Sequence, residues 1–509
     1  MPRFIDYDYR QSKFLPVCFD KQILPGTFEY SLSYLIEHEL DLSIFDNRYA
    51  NDEVGRPAYD PAILLKIVLL AYSRGITSSR KIAAMCEQNV VFMAMSADSR
   101  PHFTTIADFV SSCAEEIGEL FRQVVLICDE LGLIGGEMFA IDGCKLPSNA
   151  SKEWSGTLAD LRKKRKKIDR AVRRILKKHR EADRKELDDD VAEKEKRQVT
   201  TLRKASRKIR DFLAENEEKI GSSGKPIQSN ITDNESAKMK TSHGVIQGYI
   251  GVAAVDAKHQ VVVHAEAHGK PQEHQLLEPA VEGLREVLER SETTEEALSS
   301  AKVIVDSGYH TRANVEYLEE QKVDGYVADH GYRSRDPRFV TAGRHRPKRT
   351  SQKRFTVDEF DFDLEKKTCR CPAGKSMWLR CERARIGNYW FMQFQAHKAD
   401  CEACPERSRC LRSETQKTPR LVNIQLDKTK EKKASALERM KQKIDSDYGR
   451  YIYSFRLGIV EPVFGHITDA IGIKRFSLRG EKKVNSQWKL MTLIHNLAKI
   501  HRYAWSSTA

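Results

Sequence analysis

The sequence predicts an α/β protein: a mixed sheet flanked by helices, preceded by an all-helical region and interrupted by two insertions of different character. Three observations carry that expectation. Short apolar runs of strand length recur after residue 138, and two of them, Met138–Ile141 and Lys302–Val305, are each followed by an aspartate, Asp142 and Asp306. The first 130 residues instead show helical spacing broken by capped turns. Residues 152–220 and about 335–430 fit neither pattern, the first for its charge and the second for its cysteines.

In the helical region, Asp60 and Pro61 open a helix through Tyr72, since aspartate caps an N-terminus and proline suits the first turn. Ser78-Ser79 starts a second helix, and Thr104-Thr105 a third that runs to about Leu131. Arg74, Arg80 and Lys81 give the first junction a basic edge. That suits either a helix-turn-helix DNA reader or an ordinary helical bundle. After the Met138–Asp142 strand come Tyr249–Val255 and Gln260–Ala267, a hairpin across Asp256–His259. A helix from Gln275 to Arg290, the Lys302–Asp306 strand, a helix from Thr311 to Gln321 and a strand at Gly325–Ala328 complete the order.

The expected domains follow: 1–131 helical; 132–151 with 226–334 and 431–505 the α/β core; 152–225 a charged helical hairpin; 335–430 a basic and Cys-rich insertion. In the hairpin, Leu161, Ile168, Val172, Ile175 and Leu176 recur at helical spacing. Its basic run, including Arg162, Lys163 and Lys164, reads as a DNA contact or a solvated face. Ser222–Lys225 marks the return to the core.

Charge and composition narrow the function. The 509 residues hold 86 Lys and Arg against 73 Asp and Glu, a net charge of +13, which favours a polyanionic partner. Met1–Val17 lacks the apolar stretch of a secretory signal, and nowhere do enough apolar residues run together to span a bilayer, so a soluble cytoplasmic protein with no membrane partner is expected. Eleven cysteines are too sparse for a disulfide scaffold.

Two aspartates at strand exits repel each other when they lie side by side, unless a cation neutralises them. Mg²⁺ takes oxygen ligands, one or two of them protein carboxylates, and a third acid would complete a two-metal phosphodiester site. Glu461 is the candidate, beside an apolar face formed by Val460, Val463, Phe464, Ile467 and Ile471. Pro462 marks either a helix start or a kink there.

The stretches MFAIDGCKLPSNAS, IVDSGYHTRANVEYL and IVEPVFGHITDAIGIKRFSLRG, with GRPAYDPAILLKIVLL upstream, resemble those of DDE transposases of bacterial insertion sequences. The resemblance runs from about Phe14 to His501. It implies an RNase H-like catalytic core and a metal-binding triad of Asp142, Asp306 and Glu461, with two Mg²⁺ or Mn²⁺ ions as cofactor. It also implies DNA cleavage at the element's ends, strand transfer into target DNA, double-stranded DNA as partner, a homodimer or higher synaptic assembly, and a bacterial, nucleoid-associated location. A Tyr and an Arg two residues apart in the family's C-terminal signature correspond to Tyr453 and Arg456. The usual spacing from Arg to Glu is exceeded by one residue, and the signature's lysine is replaced by Thr468, leaving Lys474 as the next lysine. Two other readings stand beside this one: a nuclease of the same fold without strand transfer, and a catalytically silent, transposase-derived DNA-binding regulator. The segment Thr232–Ser236 resembles a family loop near the active site, and an Asx-type turn explains it equally.

Six of the cysteines lie between Cys369 and Cys410, as Cys369-Arg-Cys371, Cys381, Cys401-Glu-Ala-Cys404 and Cys410. Thiolates at such spacing fit tetrahedral structural zinc, with Cys371, Cys401, Cys404 and Cys410 the preferred set. Reduced, metal-free thiols are the other reading.

Overall fold

The computed structural model describes residues 16–49, 57–182, 189–221, 224–242, 244–290, 297–339, 354–386, 389–413, 416–426 and 435–505. The N-terminal helices form where the capping residues place them. Thr27 accepts the Tyr30 amide to open α1 (Phe28–His38), and Asp60 accepts the Ala62 amide at 2.7 Å to open α2 (Pro61–Ser73). Helix α2 is buried from Leu64 through Tyr72, and α3 (Ser79–Gln88) and α4 (Val90–Met95) follow. The long helix expected from Thr104 is in fact two, α5 (Phe103–Ser112) and α6 (Ala114–Glu130). Cys113 breaks it with φ −90° and ψ 46°, outside the helical region, and His102 rather than a threonine supplies the cap of α5.

The central sheet is built on β1 (Met138–Pro147). Its partners are β2 (Ala237–Thr241), β3 (Gly244–Asp256), β4 (Val262–His268), β5 (Lys302–Val305) and β6 (Asp324–Val327). Strand β1 pairs antiparallel with β3, from Phe139 opposite Asp256 to Pro147 opposite Gly248. On its other side it runs parallel to β5, which is itself parallel to β6. The far edge of β3 carries β2 and then β4, both antiparallel. This mixed α/β arrangement is consistent with an RNase H-like core. Asp142 does not end its strand as expected: only the parallel ladder stops there, at Ile141 opposite Val305, while β1 continues against β3. Strand β2 is not foreshadowed in the sequence, because Lys238 and Lys240 dilute its apolar content.

The charged insertion is a helical hairpin, α7 (Leu158–Ala182) and α8 (Asp189–Glu215). Leu158, Leu161, Ile209, Phe212 and Ile231 pack at its foot. A short ladder between Ser155–Gly156 and Ser229–Asn230 closes the neck. Helix α9 (Leu277–Arg290) follows β4, and α10 (Arg312–Glu320) begins where the Thr311 side chain accepts the Asn314 amide. After the second insertion come α11 (Ala436–Asp445), α12 (Asp447–Ser454), α13 (Arg456–Gly465) and α14 (Glu481–Ile500).

Helix α14 ties the N-terminal helices to the sheet. Its Trp488 is fully buried and donates from the indole nitrogen to the Val252 carbonyl at 2.8 Å. A Cβ at Gly251 would stand 2.7 Å from the Trp488 ring, so only glycine lets the helix approach the sheet this closely. Asn496 accepts from the Val262 amide and donates to its carbonyl, both at 2.8 Å, while Gln487 reaches the Tyr72 hydroxyl of α2 at 3.1 Å.

Residues 1–332 with 440–509 form one compact unit, and residues 333–439 a second. The second unit contains an antiparallel sheet in which β7 (Asp361–Asp363), β8 (Thr368–Arg370), β9 (Ser376–Ile386), β10 (Tyr389–Ala396) and β11 (Leu421–Gln425) pair in the order β11-β10-β9-β8-β7. Phe394, Val422 and Ile424 pack in its core. The sequence suggested only cysteines and a basic loop here; most of that loop, 340–353, lies outside the described residues. No helix among the described residues is long and apolar enough to cross a membrane.

Trp488→Ala removes both the ring and its hydrogen bond. It should destabilise the first unit by about 3–5 kcal/mol, read as an earlier urea-unfolding midpoint by tryptophan-independent circular dichroism.

Candidate active site

The parallel register sets the site. Ile141 lies opposite Val305, so the next residues, Asp142 and Asp306, emerge side by side. Adjacent strands lie about 4.8 Å apart, close enough for the two carboxylates to repel strongly if unscreened. Arg456, the first residue of α13, lies between them. Its Nη1 donates to Asp142 Oδ2 at 2.7 Å, and its Nη2 lies 3.1 Å from Asp306 Oδ1. The remaining oxygens accept backbone amides: Gly143 to Asp142 Oδ1 at 2.7 Å and Gly308 to Asp306 Oδ2 at 3.2 Å.

The electrostatics record an incomplete balance. Burial pushes the Asp142 carboxyl up to about 6, with Asp306 and Glu273 adding to the rise, against the opposing pull of Arg456 and the Gly143 amide. Burial also works against the Arg456 charge, but Asp142 and Asp306 outweigh it and hold its pKa above the ordinary value. The rise at Asp142 is chiefly an effect of burial, which the guanidinium does not fully offset. Carboxylate oxygens are the hard donors that a divalent ion such as Mg²⁺ takes.

The other expected residues stand at varied distances from this pair. Glu461 lies on α13, solvent-exposed, and contributes to raising the Arg456 pKa. Pro462 sits inside α13, and the helix loosens into a π turn at His466–Ala470. Tyr453 ends in the core, with its ring edge-on to Tyr332 at 5.1 Å between centroids. Lys474 is exposed, 3.5 Å from Asp469. Arg162 and Lys163 project from α7 into solvent, whereas Lys164 lies 4.8 Å over the Trp154 ring. Among the described residues, no three Asp, Glu, His or Cys side chains are arranged so that they could hold a metal ion.

Two neighbours of the pair escaped the sequence reading. Glu273, paired with Lys145 of β1 at 2.8 Å, is a lone acid ahead of a helix, with no motif to single it out. Tyr309 is fully buried three residues beyond Asp306, within the quoted IVDSGYHTRANVEYL stretch. An open groove of about 720 Å³ adjoins Glu273, lined by Gly143, Lys145, Lys240 and Thr241 among others. The Thr232–Ser236 segment acts as a tie: Asp233 accepts the Tyr249 hydroxyl at 2.8 Å and the Gly480 amide at 3.3 Å.

In the second unit, Cys371, Cys401, Cys404 and Cys410 line one cavity of about 30 Å³. Burial pushes the Cys410 thiol up; Arg420 opposes this, and the other three cysteines add to it. Cys369 belongs to the sheet core instead, beside Met377.

Arg456→Ala would leave two half-buried carboxylates facing each other. A carboxyl whose folded pKa is raised favours the fold at low pH and loses that contribution as pH climbs through the raised value. In chelator, the variant should therefore match wild type near pH 4 and fall behind above pH 6, by about 3 kcal/mol at pH 8. Thermal melts across that range check this, and added Mn²⁺ should narrow the gap.

No curated protein matches this chain. Residues 370–501 match the family model described as a transposase DDE domain, and residues 17–112 match one described as a transposase domain, DUF772. The first match takes in Arg456 and Glu461, and the second covers α1 through α5. With transposase segments at both ends of an α/β fold, the chain is consistent with a DDE transposase of insertion sequences.

Proposed function

We propose that the protein is a transposase that cuts the ends of its own element and joins them to target DNA. The observation that carries this reading is the Asp142–Arg456–Asp306 bridge, a half-buried acid pair on adjacent strands held by one cation. Asp142 and Asp306, joined by Glu461, would hold divalent ions, which supply Lewis-acid stabilisation of the phosphodiester and activation of the attacking hydroxyl. The chain's own residues do the positioning. Once the carboxylates no longer need it, the Arg456 guanidinium is free to grip a phosphate in a bidentate fashion, the geometry for which arginine is suited. Lys145 and Lys240 line the groove beside the acids, where a sugar-phosphate backbone can run. Arg162, Lys163 and Lys474 lie on exposed surface and add sequence-independent attraction. The attacking group is water in cleavage and the freed 3′-hydroxyl in strand transfer. Both element ends must be held at once, which calls for a homodimer or larger synaptic assembly.

Asp142→Asn, Asp306→Asn and Glu461→Gln remove one charge each at nearly constant shape. Each should lower Mg²⁺-dependent cleavage of the element's ends by at least about a thousandfold while end binding in a gel shift persists. Cleavage at the wild-type rate by any one of them would take that residue out of the site.

The cysteine cavity supports structural zinc as a second cofactor. Four thiols facing one small space are a soft donor set, although they need to close further around a common centre to bind an ion. Elemental analysis of purified protein should find about one equivalent of zinc, lost in Cys404→Ser together with protease resistance across 369–410. Metal-free protein with full resistance there would leave the cysteines as buried thiols.

A further inference from the structure

Beside the two aspartates stands a third carboxylate that no motif marks. Glu273 opens a single 3-10 turn, Glu273–Leu276, that leads into α9. Lys145 holds its Oε1 at 2.8 Å, and 17% of the glutamate side chain remains exposed. Two glycines let this side chain approach the aspartates and Tyr309. A Cβ on Gly308 would lie 3.2 Å from Glu273 Oε2 and 3.6 Å from Asp306 Oδ2. A Cβ on Gly143 would stand 2.7 Å from Ile250 Cγ2 and 3.5 Å from both Glu273 Cγ and the Tyr309 hydroxyl, so glycine lets these groups come together there. The Oε2 edge of Glu273, the one not on Lys145, is thus the edge near Asp306.

Tyr309 is an independent observation at the same place. Its hydroxyl is buried and makes no hydrogen bond among the described residues. Leaving a buried hydroxyl unpaired is costly, which calls for an acceptor that arrives later. An oxygen ligand of an ion held among these acids would be such an acceptor.

We propose that Glu273 is a further metal-binding carboxylate of this site, positioned by Lys145, closing on the ion together with the aspartates from a spacing that does not by itself form a three-ligand cage, with the Tyr309 hydroxyl donating to an oxygen bound beside it. The proposal rests on reading Asp142 and Asp306 as metal ligands. Charge supports it: with Arg456 turned away, Asp142, Asp306 and Glu273 against Lys145 leave two net negative charges even before Glu461 is counted, enough to neutralise one divalent cation. Glu273 also differs from Glu461 in that a lysine already fixes it beside the pair, whereas Glu461 faces solvent.

The test is a Mn²⁺ titration of the full chain by calorimetry, without DNA, on wild type, Glu273→Gln and Asp142→Asn, with melting temperatures measured in chelator. Glutamine keeps the shape of the side chain and can still accept from Lys145. Glu273→Gln should weaken Mn²⁺ binding at least tenfold and melt in chelator no lower than wild type, since one repelling charge is gone. Asp142→Asn should abolish binding. If Asp142→Asn loses binding while Glu273→Gln binds as wild type, the role of Glu273 is overturned and the aspartate site stands. If Asp142→Asn also binds as wild type, the aspartate site itself fails, and the proposal with it. A lower melting temperature for Glu273→Gln with unchanged Mn²⁺ affinity would make the Lys145 pair purely structural.

Discussion

Two carboxylates on adjacent parallel strands cannot stay ionised together without a cation, and the first unit is arranged around that requirement. The parallel ladder of β1 and β5 puts Asp142 beside Asp306. Helix α13 delivers Arg456 from far along the chain, and the guanidinium spans both acids. The break between α12 and α13 at Phe455 serves the same end: it buries Tyr453 on one side of the break and brings Arg456 to the acids on the other. The charged hairpin does not interrupt the ladder that holds the pair, because it departs beyond β1 and returns before β2.

The arginine has two roles on this account. In the metal-free protein it limits the repulsion that would otherwise open the strand ends. On the proposed function, divalent ions at the acids would leave it as a spare cation for a phosphate. A site of this kind is costly to fold, since a buried ion pair contributes little once desolvation is counted, and removing one partner costs far more than forming the pair gains.

Much of this was legible in the chain. The apolar runs before Asp142 and Asp306 carried the strands, and Asp60 with Pro61 carried α2, because local capping and periodicity are written in adjacent residues. What was missed depends on distant contacts. Cys113 breaks a periodic helix, β1 runs past Asp142 because β3 is long enough to pair with it, and the exposed positions of β2, Lys238 and Lys240, are both lysine. Glu273 reaches the site only through the strand order, which no spacing announces. In the second unit the C-x2-C pattern pointed to convergent thiols, and four of them line one cavity, but the sheet that carries them had no clear strand signal.

The central claim is that a divalent cation and Arg456 compete for the same two carboxylates. Crystals of the full chain grown with Mn²⁺ and examined at the manganese absorption edge test it directly. An anomalous peak within coordination distance of both Asp142 and Asp306, with the Arg456 guanidinium displaced from them, is the expected result. Saturating Mn²⁺ with no peak between the aspartates and Arg456 still bridging them would contradict it.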